Sequence, residues 1–224
     1  MSPADIEQRS EAWIQIRLGK VTASRIADVC ARTKTGWGAS RKNYMADLVA
    51  ERLTGKKVEG FTNAAMQWGT DMEPEARIAY EFYRDSSVSE VGFVPHPSIA
   101  ETGASPDGLV GDDGLVEIKC PNTATHIETL RGGTLPEKYF LQMQWQMACT
   151  GRQWTDFASY DPRLPESMRL FVDRVKRDDT AIAAIEKDVT DFLMELRAIV
   201  SELRSKYEPE NDELPEMARL LMAG

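Results

Sequence analysis

The sequence predicts an α/β fold in which a central mixed β-sheet is flanked by helices. Apolar residues at every third or fourth position indicate amphipathic helices in both halves of the chain. Between them, short apolar runs bounded by Gly, Pro and Asp indicate strands. The chain has 224 residues, 42% hydrophobic and 28% charged, so it can bury one full core. We expect one domain over residues 1–224, with a basic N-terminal segment (13–60), a central core (61–175) and a C-terminal amphipathic region (178–224).

The basic segment begins with a short helix. Its sequence TASRIADVCA favours a helix capped by Thr22 or Ser24. A glycine-containing basic loop, TKTGWGASRK at 33–42, follows and is a candidate contact surface.

Two longer helices are predicted next. Residues 44–55 carry apolar side chains at helical spacing, and Gly55 is a typical residue just past a helix end. The expected core positions are Met45, Leu48, Val49 and Leu53. Residues 62–84 show the same spacing, but Pro74 must begin or kink that helix, since proline cannot donate a backbone hydrogen bond.

The strands occupy the middle of the chain. Extended runs lie at 91–96, 105–111 and 114–121, and GDDG between the last two predicts a tight hairpin turn. The remaining predicted elements are a helix at 135–149, strands at 154–160 and 168–175, and a long helix at 178–207.

The charges are unevenly distributed. The net charge is -9, yet residues 17–57 hold ten basic and three acidic residues, whereas residues 178–224 hold five basic and twelve acidic ones. This asymmetry fits a basic binding face backed by an acidic surface, and it fits two solvated faces equally well. No apolar stretch approaches the ~20 residues of a membrane helix and no signal core is present. Three widely spaced cysteines and two histidines argue against a disulfide scaffold or metal cluster, and a reducing, cytoplasmic compartment is expected.

The hairpin carries the most informative charged residues. Side chains alternate along a strand, so Glu117 and Lys119 point to one face while Val116, Ile118 and Cys120 face the core. Asp107 on the preceding strand is then expected beside Glu117, and two adjacent carboxylates suit Mg²⁺ or Mn²⁺. Lys119 could orient or deprotonate a water, or stabilise charge on a phosphate. On spacing alone, a hairpin with a charged, solvated face is the commoner explanation.

The order of several motifs along the chain favours the metal site over a charged, solvated hairpin face. The segments in question are WIQIRLGKVTASRI (13–26), WGTDMEPEAR (68–77), SPDGLVGDDGLVEIKCP (105–121), KYFLQMQWQM (138–147) and YDPR (160–163). In this order and spacing they resemble the lambda-type exonucleases and the wider YqaJ-like viral recombinase family. The resemblance implies a restriction-endonuclease-like nuclease core.

The resemblance also implies roles for individual residues. Asp107 and Glu117, with the Ile118 carbonyl, are similar to the family's metal ligands, Lys119 to its catalytic lysine, and Glu73 to an acid serving a second metal. The residues similar to the pocket for a terminal 5′-phosphate are Arg17, Ser24, Ser105 and Gln142. From the residues alone, Arg17 could instead form a surface ion pair and Ser24 a helix cap.

Further DNA contacts are expected around this pocket. Met66 is similar to an apolar wedge between terminal base pairs, although its spacing fits core packing equally well. Trp13, Arg41 and Lys42, in or beside the basic segment, are additional candidates. Thr125 stands where lambda-type sequences have a phosphate-binding arginine, with His126 as a possible substitute donor.

The expected activity is a Mg²⁺-dependent 5′-to-3′ exonuclease, with Mn²⁺ as a substitute and two ions if Glu73 takes part. It would digest one strand of linear double-stranded DNA to mononucleotides and leave a 3′ overhang for recombination by strand annealing. The resemblance further implies a homotrimeric ring, a single-strand annealing protein as partner, and the cytoplasm of a bacterial host of a phage or prophage. The alternatives are a related endonuclease, a RecB-like or Cas4-like nuclease, or a DNA-end-binding module without turnover.

Overall fold

A five-stranded sheet lies at the centre of the protein in a computed structural model, which describes residues 2–58 and 64–208. The strands are β1 (Val21–Thr22), β2 (Arg32–Thr33), β3 (Gly36–Trp37), β4 (Val88–Ser89), β5 (Val94–Pro95), β6 (Thr102–Ala104), β7 (Gly108–Val110), β8 (Gly114–Lys119), β9 (Trp154–Tyr160) and β10 (Leu170–Lys176). The helices are α1 (Glu11–Arg17), α2 (Ile26–Val29), α3 (Ala39–Thr54), α4 (Ala64–Arg84), α5 (Thr123–Leu130), α6 (Glu137–Thr150) and α7 (Asp179–Tyr207).

The central sheet is mixed, with the strand order β10-β9-β8-β7-β4. The strands β8 and β9 run parallel, and the other neighbours are antiparallel. Parallel neighbours need a crossover connection, which α5 and α6 supply between these two strands. A second sheet, β1-β6-β5, and the small hairpin β2-β3 complete the strands. The predicted fold class, a mixed sheet flanked by helices, is confirmed.

Each face of the central sheet packs against different helices. On one face, Ala76 and Tyr80 of α4 contact Val116 and Ile118 of β8 in a continuous apolar cluster. On the other side, α6 packs with α2, α3 and α7 around the buried Trp145. Because β8 is covered on both sides, Glu117 is fully buried. The alternative of a charged, solvated hairpin face is therefore wrong.

Several predicted elements are present with nearly the expected bounds. The strand β9 matches 154–160, and α7 begins after Asp178, whose carboxylate accepts hydrogen bonds from the Thr180 and Ala181 backbone N–H groups. Gly55 ends α3 with a φ of 66°, a left-handed conformation that glycine adopts without strain. Pro74 lies inside α4, so it neither begins nor ends that helix. Residues 62–63 of the predicted helix and 209–224 of the C-terminal region lie outside the described residues.

The elements that the pattern did not predict are mostly short. The strands β1, β4 and β6 have two or three residues each, too few to show an alternation. The helices α1 and α5 are capped by Ser10 and Asn122, whose side chains accept hydrogen bonds from Trp13 N and Thr125 N. Among the predicted core positions of α3, Leu53 is 40% exposed.

The basic and acidic segments contact each other through two ion pairs. Arg32 donates to Asp188 at 2.6 Å and Arg41 donates to Glu195 at 2.7 Å, so two arginines of the basic segment are paired with α7. The same two guanidinium groups stack on the ring of Trp37, at 4.0 and 4.1 Å from its centroid. The charge asymmetry of the sequence thus serves, in part, the packing of the β2-β3 hairpin and α3 on α7. In the described part of the chain, no helix is long and apolar enough to cross a bilayer.

Candidate active site

The charged residues of the hairpin meet at the end of β8. Gly108 pairs with Val116 in the antiparallel β7-β8 register, which sets Asp107 opposite the Glu117 end of the strand. Asp107 Oδ2 accepts a hydrogen bond of 2.7 Å from the Ile118 backbone N–H. The expected placement of Asp107 beside Glu117 is therefore what the structure has.

Glu117 is held by three side-chain donors. Its Oε1 accepts from Lys119 Nζ and from Gln142 Nε2, the latter at 2.7 Å, and its Oε2 accepts from Gln146 Nε2 at 2.6 Å. Two of these donors are neutral amides, so they satisfy the oxygens without cancelling the charge. Glu117 is thus a fully buried carboxylate facing a second one, Asp107.

The proximity of the two carboxylates changes the acidity of Asp107. Burial raises the pKa of Asp107, and the neighbouring charge of Glu117 raises it further, to about 8. Lys119 and the bond from the Ile118 N–H oppose this shift, whereas Glu73 adds to it. A bound cation would relieve the same repulsion.

Lys119 is an ammonium donor at this site. Burial favours a lower pKa for Lys119, but Glu117 and Asp107 outweigh it and raise the pKa above its ordinary value. Its Nζ also lies 5.3 Å from the centre of the Tyr139 ring. A lysine held protonated in this way can stabilise negative charge, and it is a poor base for deprotonating a water.

The donor set fits a hard divalent cation. Asp107, Glu117 and the Ile118 carbonyl offer the oxygen ligands that Mg²⁺ and Mn²⁺ prefer. Among residues 2–58 and 64–208, no three His, Cys, Asp or Glu side chains come together as a metal cluster. Such an ion would therefore rely on backbone, water and substrate oxygens for its remaining ligands, as Mg²⁺ commonly does.

Glu73 lies near this cluster but binds other partners. Its carboxylate accepts from Arg9 Nη2 and, at 3.1 Å, from Arg77 Nη2 one turn along α4. Arg77 also pairs with Glu90. A metal bound by Glu73 would have to compete with two guanidinium groups. The spacing of Glu73 and Arg77 on the predicted helix indicates the second of these pairs, whereas the pair with Arg9 depends on the tertiary structure.

A cleft of about 320 Å³ lies on the α1 side of the site, and Arg17 lines it. Its guanidinium stacks on Trp13 at 3.7 Å, and its Nη1 donates to Ser105 Oγ at 3.3 Å. Trp13 Nε1 donates to the same hydroxyl at 3.0 Å. Burial lowers the pKa of Arg17 to about 10, and no carboxylate pairs with it in the described part of the chain. Among the described residues Arg17 therefore forms no ion pair, although the charge of Glu51, which lines the same cleft, acts on it. An anion that enters the cleft would meet this guanidinium.

The other predicted phosphate-binding residues are divided between the cleft and the Asp107–Glu117 pair. Ser24 is exposed and lines the cleft; it caps no helix, and its hydroxyl lies 3.4 Å from Thr22 Oγ1. Gln142 faces Glu117 instead. Ser105 connects the sites, since it lies two residues before Asp107.

Three further predictions concern contacts with DNA. Met66 lines the cleft and is 57% exposed, so it is not a core residue. Lys42 is exposed, whereas Arg41 is 3% exposed and paired with Glu195. The expectation that Arg41 contacts DNA is corrected by this burial.

The histidine beside Thr125 is structural. His126 is fully buried, with Nδ1 2.7 Å from Ser159 Oγ and Nε2 2.9 Å from the Met168 carbonyl oxygen. It therefore cannot replace the arginine for which Thr125 stands.

Sequence reasoning missed two residues that contact the site. Gln146 binds Glu117, and its position four residues after Gln142 on one helix was the available signal. Gln8 donates to the Pro106 carbonyl at 2.8 Å and to the Val91 carbonyl at 2.7 Å, which fixes the backbone just before Asp107. Nothing in the sequence near Gln8 indicated this long-range contact.

Known proteins resemble this arrangement in sequence and in structure. The profile of the YqaJ-like viral recombinase domain matches residues 12–153. The crystal structure of an alkaline exonuclease (LHK-Exo) from Laribacter hongkongensis is 57% identical, covers 88% of this chain and 97% of its own, and has a TM-score of 0.82. The structure of LHK-Exo in complex with dAMP has the same identity and coverage and a TM-score of 0.83.

A more distant structure shares the fold alone. A phage related exonuclease from Haemophilus somnus 129PT is 16% identical, covers 82% of this chain and 96% of its own, and has a TM-score of 0.64. Comparison with curated proteins gives no match. The mixed sheet with its flanking helices is thus the fold of phage-type exonucleases.

Proposed function

Because the chain belongs to the YqaJ-like viral recombinase family, as its motifs predicted, we propose that it is a metal-dependent exonuclease acting on linear double-stranded DNA. At each duplex end, it digests the strand whose 5′ end lies there into mononucleotides. The complementary strand is left as a 3′ single-stranded overhang for recombination by strand annealing. The observation that carries this proposal is the adjacent pair of Asp107 and the fully buried Glu117, with Lys119 donating to Glu117. The alkaline exonuclease LHK-Exo, at 57% identity, supports the reaction class, and its complex with dAMP supports a nucleotide ligand.

The proposed metal is Mg²⁺, with Mn²⁺ as a substitute, held by Asp107, Glu117 and the Ile118 carbonyl. When bound, the ion polarises the scissile phosphoryl oxygen and lowers the pKa of a water. Asp107 Oδ2 stays on the Ile118 N–H, and the amides of Gln142 and Gln146 hold the Glu117 carboxylate in its orientation. A second ion requires Glu73 to release Arg9 and Arg77, so we propose one ion at the Asp107–Glu117 pair and a second only after that release.

Lys119 acts as a cation during hydrolysis. Its ammonium donates to Glu117 before reaction and stabilises the negative charge that develops on the phosphate when a water attacks in line. Its raised pKa keeps it charged throughout the neutral and mildly alkaline range.

The cleft beside α1 is the proposed site for the terminal 5′-phosphate. Arg17 and the hydroxyls of Ser105 and Ser24 are suitable donors, and a terminal phosphate carries more charge than an internal one. Met66, which lines the cleft, is the proposed wedge against the terminal base pair, and Trp13 in the same cleft is a further proposed DNA contact. The exposed Lys42 is proposed to contact DNA as well. Because Ser105 lies two residues before Asp107 in the chain, end binding and cleavage are directly connected.

We propose the assembly and the biological setting from the family. The chain forms a homotrimeric ring around DNA, hands the 3′ strand to a single-strand annealing protein, and works in the cytoplasm of a bacterial host. Light scattering of the purified protein tests the ring: a mass near three times 25.1 kDa is expected, and a monomer contradicts it.

The activity is tested with Mg²⁺ and three DNA substrates: linear duplexes with 5′-phosphate or 5′-hydroxyl ends and a covalently closed circle. Release of mononucleotides from the linear DNA, faster from 5′-phosphate ends and abolished by chelator, is the expected result. Equal rates from both ends would remove the proposed pocket, and cutting of the circle would identify an endonuclease. Binding of ends without hydrolysis would identify a DNA-end-binding module.

A further inference from the structure

Gln146 is a polar side chain buried behind the active site. It is 0% exposed on α6, and its Nε2 donates to Glu117 Oε2 at 2.6 Å. Since it is completely covered, it can reach neither DNA nor a bound ion. Any part that it plays in the reaction must act through Glu117.

Two amides hold the Glu117 carboxylate from one helix. Gln142 and Gln146 are four residues apart and therefore on the same side of α6. Gln142 binds Oε1 at 2.7 Å and Gln146 binds Oε2, so each oxygen has its own donor. This pair fixes the plane of the carboxylate and leaves its charge intact.

The other end of the Gln146 amide is poorly satisfied. Its Oε1 is buried with no hydrogen-bond partner in the described part of the chain, so the bond to Glu117 is the one that this side chain makes there. A buried amide with an unpaired carbonyl costs stability, and an apolar residue of the same size would avoid that cost. Residues that break the rules of core packing in this way are expected at functional sites.

We propose that Gln146 is a positioning residue that orients Glu117 for metal binding. The inference rests on the proposed function, since it assumes a divalent ion at the Asp107–Glu117 pair. An arginine at this position would neutralise the Glu117 carboxylate and weaken its binding of a cation. A neutral amide donor orients the carboxylate without adding a positive charge. Removing such a supporting donor commonly lowers metal affinity by about 10- to 100-fold.

The same helix provides a matched control. Gln144 is also 0% exposed and faces the other way, with Nε2 donating to the Lys176 carbonyl at 2.9 Å and Oε1 accepting from the Asp178 N–H at 2.8 Å. Both ends of its amide are paired with backbone. Its role is to join α6 to the start of α7, away from the active site.

The test compares Gln146→Met with Gln144→Met and the wild-type chain. Metal-free protein is titrated with Mn²⁺ in the absence of DNA, with free Mn²⁺ followed by electron paramagnetic resonance, and thermal melts are recorded in chelator. For Gln146→Met we expect Mn²⁺ binding at least about 10-fold weaker and a matching rise in the Mg²⁺ concentration for half-maximal hydrolysis. The KM for DNA ends should stay near the wild-type value. For Gln144→Met we expect a lower melting temperature and unchanged Mn²⁺ affinity.

Wild-type Mn²⁺ affinity in Gln146→Met, or an equal loss in both variants, would overturn the inference. If Gln146→Met does not fold, Gln146→Asn takes its place, because its shorter amide cannot reach Oε2 and the same weakening is expected. Failure of the wild-type chain to bind Mn²⁺ would overturn the proposed metal site, and this inference with it. A wild-type chain that binds Mn²⁺ and an unaffected Gln146 variant would overturn the inference alone.

Discussion

Glu117 and Asp156 are both fully buried carboxylates on neighbouring strands of the central sheet, on opposite faces. Val116 pairs with Asp156 and Glu117 with Phe157 in the parallel β8-β9 register. The two acids are therefore offset by one residue, which places them on opposite faces of the sheet. Glu117 faces α6 and Asp156 faces α4. Their surroundings differ in charge.

Asp156 is paired with more positive charge than it carries negative charge. It accepts from Arg174 Nε at 2.7 Å and from the Tyr80 hydroxyl at 2.8 Å, and it pairs with Arg84 at 3.0 Å. Two guanidinium groups for one carboxylate leave the cluster with one positive charge. Such a network joins α4, β9 and β10 and has no need of a further ion.

The site of Glu117 has the opposite balance. Asp107 and Glu117 share one ammonium, that of Lys119, and the other donors are neutral amides. With both carboxylates ionised the cluster carries one negative charge; burial raises the pKa of Asp107, and the charge of Glu117 raises it further. Burial of a carboxylate therefore does not mark an active site by itself; an uncompensated charge does.

The largest expected effect is on catalysis, at the under-neutralised site. Lys119→Ala should slow release of mononucleotides by about 10²- to 10³-fold, because it removes the cation that faces the reacting phosphate. Binding of blunt DNA ends, measured by anisotropy with Ca²⁺, should be retained. Lys138→Ala is the control, since this exposed lysine lies over the same Tyr139 ring. Full activity of Lys119→Ala would exclude the site.

The next effect is on stability, at the over-neutralised site. Asp156→Asn leaves Arg84 and Arg174 without their carboxylate, and we expect a loss of about 1–3 kcal/mol, reduced by the partial exposure of both arginines. Chemical denaturation measures it, with the exposed Asp173→Asn as the control. Hydrolysis by the folded variant at 25 °C should be unchanged. A large loss of kcat without a loss of stability would contradict the comparison.

Arg17 extends the comparison to cations. It has no carboxylate partner in the described residues, whereas Arg25, which lines the same cleft, pairs with Asp28 and Asp47. Arg17→Met should reduce the preference for 5′-phosphate over 5′-hydroxyl ends by about 10-fold, the equivalent of one charge-assisted hydrogen bond. Arg25→Met should leave that preference intact. The ratio of the two initial rates decides between these outcomes.

The last expected effect is a pH dependence of stability in the metal-free protein. The folded-state pKa of Asp107 is raised from 3.8 to about 8, so the folded state binds a proton more tightly than the unfolded state does. Stability from this group is present below pH 4 and is lost as the pH rises towards 8. Asp107→Asn should remove that loss, and its melting temperature in chelator should exceed the wild-type value more at pH 9 than at pH 5. An equal difference in melting temperature at pH 5 and pH 9 would contradict the charge excess at this site.

The sequence allowed much of the fold to be predicted. The strand β9 and the helix α7 are long enough to show their periods, and the turn between β7 and β8 has the residues such turns require. The placement of Asp107 beside Glu117 followed from the hairpin, because alternation and a short turn fix both positions locally. Short strands such as β1 and β4 could not be predicted, since two residues show no period.

The sequence by itself determined the longer elements, the family and the candidate site residues Asp107, Glu117 and Lys119. Only the tertiary structure decided which charges are compensated: Arg41 is paired with Glu195, Glu73 with Arg9, and Glu117 receives the Gln146 amide. The physical reason is the separation along the chain of the residues that interact. Periodicity and turn chemistry act between residues a few positions apart, whereas the partner of a buried charge is set by packing of segments as much as 156 residues apart in the chain.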